Sequence, residues 1–340
     1  MTLAVALPNW VGDAVMATPT LRALRRGFPD ERILAVLRPY VRPVLDPNPW
    51  TDAFIETDKS AGGMVRTVAA LRREDVRAAI LLPNSVRSAM LMRLGGATRR
   101  IGYRRGGRGW LLTDALEPPR DGRRFVPTPQ VTYYLALAEV LGAPTDDRRL
   151  ELATTEADEA AADAAFSAAG LEPSSTLLLC PGYAFGPSKA WPTAYWAAAV
   201  RGARERFGLA AAVLAGPKEA DVAGAICDAA DCAPLHEAGL TLAAARAVVR
   251  RVRAMVTVDS GLRHYAAAFD RPVVALFGPT HIGWTETWHP KEVRLQAVVP
   301  CGPCQQPVCP TGTGECMAKI EPDEVLDALG EALGREAGNQ

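Results

Sequence analysis

The stretch TLLLCPGYAFGPSKAWP, residues 176–192, decides the fold. Thr176–Cys180 is a short apolar run, the pattern of a strand buried on both faces. Glycines and prolines then shape a tight loop, and Pro192 suits the first turn of a helix that reads on to Arg206. A buried strand, a Gly/Pro loop and a helix make half of a parallel β–α–β unit.

The alternation continues downstream. Ala210–Ala215 reads as a strand, Glu219–Ala230 and Leu242–Arg250 as helices, Met255–Val258 as a strand, Leu262–Phe269 as a helix and Val273–Phe277 as a strand. Upstream, Glu156–Ala169 is an Ala-rich helix ended by Gly170. The first half repeats the theme. Leu3–Leu7 is a strand, Pro8–Asp13 a loop and 14–26 a helix ending on Arg25 and Arg26, where cations suit the dipole. Arg32–Leu37 is a strand, 64–75 a helix, Ala78–Leu82 a strand and Ser85–Leu94 a helix. The expected class is α/β, with two Rossmann-like domains facing a central cleft, residues 1–155 and 156–340, hinged near 142–155. In such sheets ligands sit beyond the carboxyl ends of the strands.

Composition narrows the function. The 340 residues are 49% apolar and 22% charged, which excludes an intrinsically disordered chain. Lys+Arg and Asp+Glu are each 38, which excludes a binder of nucleic acid that relies on global charge. The balance is uneven, however. Residues 1–155 hold 23 basic against 16 acidic side chains, and residues 156–340 hold 15 against 22. Either solvated helix faces account for this, or the first half meets something anionic. No apolar run approaches the roughly 18 residues that span a bilayer. The opening MTLAVALPNW lacks a basic segment and reaches Pro8 too soon for a signal peptide. A cytosolic location with at most peripheral membrane contact is expected.

Four strand-to-helix loops are placed to carry chemistry. In the first, Gly12 permits close backbone approach and Asp13 stands at a helix start, where the dipole favours an ionised carboxylate. Asp13 reads as a plain helix cap or as a base that takes a proton from a hydroxyl nucleophile. In the second, Lys189 is one of only five lysines against 33 arginines. A compact ammonium beside a helix N-terminus makes a phosphate clamp, although a surface lysine fits the sequence as well. In the third, Glu219 follows a strand and is placed either to accept from ribose hydroxyls or to complement a helix dipole. In the fourth, Asp259 ends a strand, Ser260 and Gly261 open a helix with free N–H groups, and His264 lies one turn later. There is no Walker A loop, no G-x-G-x-x-G after the first strand and no Asp-x-Asp pair. Together the loops suggest handling of a nucleotide diphosphate without a catalytic metal, and not hydride chemistry.

Three of these stretches resemble a known family. PNWVGD (8–13), FGPSKAWP (185–192) and DSGLRH (259–264), with Arg271-Pro and FGP (277–279), are similar to the ADP-heptose:lipopolysaccharide heptosyltransferases of glycosyltransferase family 9, most of all to the heptosyltransferase II type. The resemblance runs in order along nearly the whole chain. It implies a GT-B fold, an acceptor on the N-terminal domain and a sugar nucleotide on the C-terminal one. It implies inverting transfer of heptose from ADP-heptose to the inner core of lipopolysaccharide, at the cytoplasmic face of the inner membrane. Asp13 matches the general base and Lys189 the residue that neutralises the departing diphosphate. Glu219 matches the ribose ligand, Leu240 an apolar contact of adenine and Asp259 a sugar-hydroxyl ligand. Ser260, Gly261 and His264 then surround the phosphates. The alternatives are a transferase of the same fold using another nucleotide sugar or glycan acceptor, and a non-catalytic protein that binds a sugar nucleotide.

Two further features fit that frame. Arg87, Arg93, Arg99, Arg100, Arg104, Arg105 and Arg108 crowd one region. An acceptor rich in phosphate and acidic sugars, embedded in a membrane leaflet, calls for such a surface, and Arg87, Arg93, Arg104 and Arg105 are the expected contacts. Cys301, Cys304, Cys309 and Cys316 form a compact cluster. A structural zinc is expected there, with an iron–sulfur cluster or two local disulfides as alternatives. Cys180, Cys227 and Cys232 read as ordinary buried or local thiols.

Overall fold

The computed structural model describes residues 1–337. They divide into two compact units: Met1–Ala153 with Gly283–Thr287, and Thr154–Ile282 with the chain from Trp288 onward.

The first unit is built on a parallel sheet of six strands. These are β1 (Thr2–Ala6), β2 (Arg32–Leu37), β3 (Ala53–Glu56), β4 (Val76–Leu81), β5 (Arg99–Tyr103) and β6 (Asp114–Leu116), in the order β3-β2-β1-β4-β5-β6. β1 pairs with β2 on one side and β4 on the other, both in parallel, so the order reverses at β1. A small antiparallel ribbon, β7 (Arg120–Asp121) and β8 (Arg124–Phe125), stands beside it. The central strands are apolar beyond their first residues, with Leu3, Ala4, Val5, Ile33, Leu34 and Ala35 all almost fully buried, as helices on both faces of a parallel sheet require.

The helix expected over 14–26 is two helices, Val11–Met16 and Thr18–Gly27. Pro19 is the reason. It has no N–H to give the preceding turn, and its ring crowds the carbonyl four residues back. Thr18 Oγ1 takes up the slack by donating to Val15 O at 2.8 Å.

The second unit holds β9 (Thr176–Cys180), β10 (Ala210–Val213), β11 (Ala254–Val258), β12 (Val273–Phe277) and β13 (Glu292–Gln296), all parallel, in the order β10-β9-β11-β12-β13. β9 is the reversal point here, with β10 and β11 on opposite sides. Every residue of β9, β11 and β12 is buried. The helix Glu156–Ala169 opens with a capping box, in which Thr155 and Asp158 satisfy each other's amides, and closes on Gly170 at φ 64°. On one face Trp196 is fully buried and meets Trp191 edge-on with ring centres 4.8 Å apart. Trp191 Nε1 in turn donates to Ile320 O at 2.9 Å, which pins the C-terminal region to the helix after the 181–192 loop.

Candidate active site

In the second unit, three of the four loops singled out in the sequence leave the carboxyl ends of β9, β10 and β11, on either side of the reversal point. This is where open α/β sheets bind ligands. The fold brings Lys189 and Asp259 together across it. Lys189 Nζ donates at 2.6 Å to Asp259 Oδ2 and again at 2.6 Å to the main-chain oxygen of Asp259. Both side chains are more than nine-tenths buried. Thr280 Oγ1 donates to the same Oδ2 at 2.7 Å, and Arg263 Nη1 reaches Oδ1 at 3.2 Å. Arg263 itself is 1% exposed and is held from behind by Glu292 through its Nε and Nη2. Phe185 closes one side, with Lys189 Nζ 5.0 Å from its ring centre.

Burial pushes the Asp259 carboxyl up, but the adjacent Lys189 and Arg263 charges and the Lys189 and Thr280 hydrogen bonds more than offset it, leaving it at about 2. The carboxylate is therefore a permanent anion between two cations. His264 is driven the other way: burial, with the positive Arg263 and Lys189 nearby, brings it down to about 3 against the pull of Asp259. It is a neutral imidazole at physiological pH, and its buried Nδ1 has no protein partner. Ser260 Oγ lies 3.0 Å from Thr257 Oγ1, and Gly261 O accepts from the His264 N–H at 3.2 Å. The helix itself begins at Arg263, so Ser260 and Gly261 form the turn ahead of it.

Glu219 stands at the N-cap position of the helix Ala220–Ala230, with no capping hydrogen bond from its side chain. A Cβ built on Gly216 would lie 2.8 Å from Glu219 Oε2, and one on Gly182 would lie 3.6 Å from its Cδ. The carboxylate thus sits over the two loops that follow β9 and β10. Leu240 is half-buried, just past Gly239 at φ 65°.

In the first unit, Asp13 lies in the first turn of Val11–Met16, half-buried. Its charge is felt by the buried Tyr134, whose hydroxyl is raised well above its ordinary value, chiefly by burial and further by Asp13. Around the reversal point at β1 a cavity is lined by Asn9, Arg38, Thr57, Ser85, Arg87 and Ser88 among others. Arg87 Nη2 donates to Asp58 O and Ser60 O at 2.9 and 3.0 Å.

The remaining arginines of the basic region separate by surroundings. Arg93 is exposed, 6.0 Å from the ring centre of the exposed Trp110, and Arg104 pairs with Glu117 at 2.6 Å. Arg105 stacks 3.9 Å from the Phe125 ring centre, opposite Arg120 at 4.1 Å. Arg99 pairs with Asp114, and Arg100 donates to the carbonyls of Leu111 and Ala97. Arg108 is fully buried and donates to the carbonyls of Tyr103, Pro83 and Leu81 and to Asn84 Oδ1; burial lowers it to about 10. Arg100 and Arg108 are thus taken up mainly by main-chain carbonyls.

Cys301, Cys304, Cys309 and Cys316, the expected zinc ligands, lie within electrostatic reach of one another. Among the described residues, no three His, Cys, Asp or Glu side chains are gathered so as to hold a metal ion. Cys316 is buried in the short helix Glu315–Ala318, where burial and then the charges of Cys309, Cys304 and Cys301 raise its thiol, while Cys301 is exposed. Cys309 Sγ lies 3.3 Å from Thr311 Oγ1 and accepts the Gly314 N–H at 3.4 Å. The segment also braces the Lys189 loop. Ser188 donates to Gln306 O from its hydroxyl at 2.6 Å and to Pro307 O from its amide at 3.1 Å. On its other side Gln305 N donates to Pro279 O at 2.8 Å. Gly186 permits this approach, because a Cβ there would stand 2.2 Å from Pro307 O.

Residues 64–313 match glycosyltransferase family 9 (heptosyltransferase). The chain is 28% identical to lipopolysaccharide heptosyltransferase 2 of Salmonella typhimurium over 99% of both sequences. It is 35% identical to lipopolysaccharide heptosyltransferase 1 of Pseudomonas aeruginosa over 36% of its length and 34% of that protein's. The solved structure of E. coli ADP-heptose LPS heptosyltransferase II superposes over 99% of this chain and 100% of its own, with a TM-score of 0.81 and 26% identity. The E. coli heptosyltransferase WaaC with ADP shares the fold at a TM-score of 0.73, over 98% of this chain and 100% of its own, with 16% identity.

Proposed function

This chain belongs to glycosyltransferase family 9, the heptosyltransferases, and from that premise we propose that it moves heptose from ADP-heptose to the inner core of lipopolysaccharide. It has the GT-B fold of its structural relatives. In this reading residues 1–155 take the acceptor and residues 156–340 the donor. Asp13 takes the proton of an acceptor hydroxyl as that oxygen attacks the anomeric carbon. The bond from that carbon to the diphosphate breaks, ADP leaves with the electron pair, and the configuration inverts.

The observation that carries the reading is the buried group formed by Lys189, Asp259 and Arg263 beyond β9 and β11. Charges held in a dry site stabilise charge that develops in the transition state. Lys189 would turn from Asp259 toward the departing diphosphate. Asp259, an anion throughout, would accept from sugar hydroxyls. Glu219 would take the ribose and Leu240 the adenine face, while Ser260, Gly261 and the neutral His264 would contact the phosphates. With lysine and arginine supplying the positive charge, no divalent ion is assigned a step.

Arg87, Arg93, Arg104 and Arg105 would meet the anionic lipid A–core acceptor. Working at the cytoplasmic face of the inner membrane fits the exposed Trp110, at 66%, beside Arg93. No helix among the described residues is long and apolar enough to cross a membrane, so the contact would be peripheral.

A matrix of ADP-, UDP- and GDP-sugars against core acceptors, read by mass spectrometry, tests the reading. The expected product is the acceptor carrying one added heptose, with ADP released only when acceptor is present. Preference for a UDP or GDP donor, or donor cleavage that ignores the acceptor, would reject it.

A further inference from the structure

Cys227 and Cys232 lie outside the donor residues and outside the 301–316 segment, and the fold has made a pair of them. Cys232 Sγ donates to Cys227 Sγ at 3.1 Å, with both side chains half-buried. The backbone explains the contact. Cys227 sits in the last turn of the helix Ala220–Ala230. Asp231 then adopts a left-handed conformation at φ 52°, and its N–H returns to Cys227 O at 3.0 Å, which folds Cys232 back over that turn. Arg204 clamps the corner, donating to Asp231 O at 2.9 Å and Asp231 Oδ2 at 3.3 Å. On the far side, Ala233 is stitched to β10: its N–H donates to Ala211 O at 3.0 Å and its carbonyl accepts from Val213 at 2.9 Å. Cys232 is thus anchored both before and after. The sulfurs need close by only about 1 Å to reach a disulfide bond length of about 2.05 Å, a movement within reach of side-chain rotation.

We propose that Cys227 and Cys232 form a reversible dithiol–disulfide couple in which Cys227 is the attacking sulfur and Cys232 the resolving one. The oxidant is a low-molecular-weight disulfide. The Cys227 thiolate attacks one of its sulfurs, the S–S bond breaks, and one small thiolate leaves and takes up a proton. Cys232 then loses its proton and attacks Cys227 Sγ, expelling the second small thiolate. Two electrons pass from the protein to the small disulfide, and the two thiol protons end on the two released small thiols.

The surroundings give the order. The hydrogen bond from Cys232 favours the Cys227 thiolate over opposition from burial, Asp228 and Glu237. The same bond holds the proton on Cys232, helped by burial, by the Cys227 charge and by Asp231, against Arg204. Once Cys227 is in a mixed disulfide, its charge and its acceptance of that bond are gone, and Cys232 is released to react. In a reducing compartment such a couple rests as the dithiol and responds to oxidation.

The test is thiol mapping of the full chain after incubation with oxidised glutathione, by differential alkylation and peptide mass spectrometry. The expected result is a Cys227–Cys232 cross-linked peptide, two hydrogens lighter than the dithiol form and restored by dithiothreitol. Cys232→Ser should trap glutathione on Cys227, because nothing resolves the adduct. Cys227→Ser should leave Cys232 largely unmodified. The proposal is overturned if Cys227 and Cys232 both stay alkylatable while Cys301, Cys304 or Cys309 oxidise. It is equally overturned if Cys232→Ser carries no adduct on Cys227.

Discussion

Lys189 Nζ stands 2.6 Å from both the carboxylate and the main-chain oxygen of Asp259, seventy residues away in sequence, with Arg263 on the other carboxylate oxygen. Removing Asp259 leaves two buried cations facing each other with one counter-ion lost. Asp259→Ala should therefore cost about 3–5 kcal/mol of stability, whereas Asp259→Asn, which keeps an acceptor for Lys189 and Thr280, should cost less. Urea unfolding of the two variants beside the wild type measures both. Equal and negligible losses would mean that the pair contributes nothing to the fold.

Acid should unfold the chain through His264 before it reaches the carboxylates. The folded imidazole takes its proton only near pH 3, against an ordinary value of 6.5. Between those values the unfolded chain binds a proton that the folded chain does not. The contribution is whole above pH 6.5 and declines as pH falls, by roughly 1.4 kcal/mol per unit. Asp259, lowered from 3.8 to about 2, adds loss of the same sign at the acidic end. Urea midpoints from pH 7 down to pH 4 should fall for the wild type and fall less steeply for His264→Gln.

Asp13→Asn should separate chemistry from donor binding. Loss of a general base typically lowers turnover by about 10²–10⁴-fold. The ADP dissociation constant, read by calorimetry, should stay within error of the wild type. Turnover that survives the substitution would remove Asp13 from the reaction.

Gly186→Ala should disable Lys189 without touching it. The added methyl would stand 2.2 Å from Pro307 O, so the loop or the 300–314 segment must shift. A loss of about 1–3 kcal/mol in stability is expected from such overpacking. A raised KM for donor with the acceptor KM unchanged would show that the displaced group is Lys189.

The elements that the sequence made plain are the ones buried on both faces. β9, β11 and β12 are apolar but for one threonine in each of the first two, and their bounds agree with the reading to within a residue. The strands that escaped it lie at or beside sheet edges and are short or mixed: β3 is Ala-Phe-Ile-Glu, β5 opens on Arg99 and Arg100, and β13 alternates charge with apolar residues. None offers a continuous apolar signature, and their pairing partners alone make them strands. In the candidate site, the loops were legible from the strand-end rule, but the contact between Lys189 and Asp259 was not, since no local pattern reports a pairing across seventy residues. Arg263 was passed over, although its place four residues after Asp259 at a helix start was a usable signal. Thr280 and Glu292, which complete that group, carry no sequence mark at all.

The hydrogen bonds from Ser188 to Gln306 and Pro307 make the Lys189 loop answerable to a solvent-facing stretch more than a hundred residues away in sequence. A small molecule wedged between Gly186 and Pro307 would silence the enzyme while leaving the nucleotide position empty. Because such an inhibitor would weaken donor binding through Lys189, bound donor would by reciprocity weaken the inhibitor to the same degree.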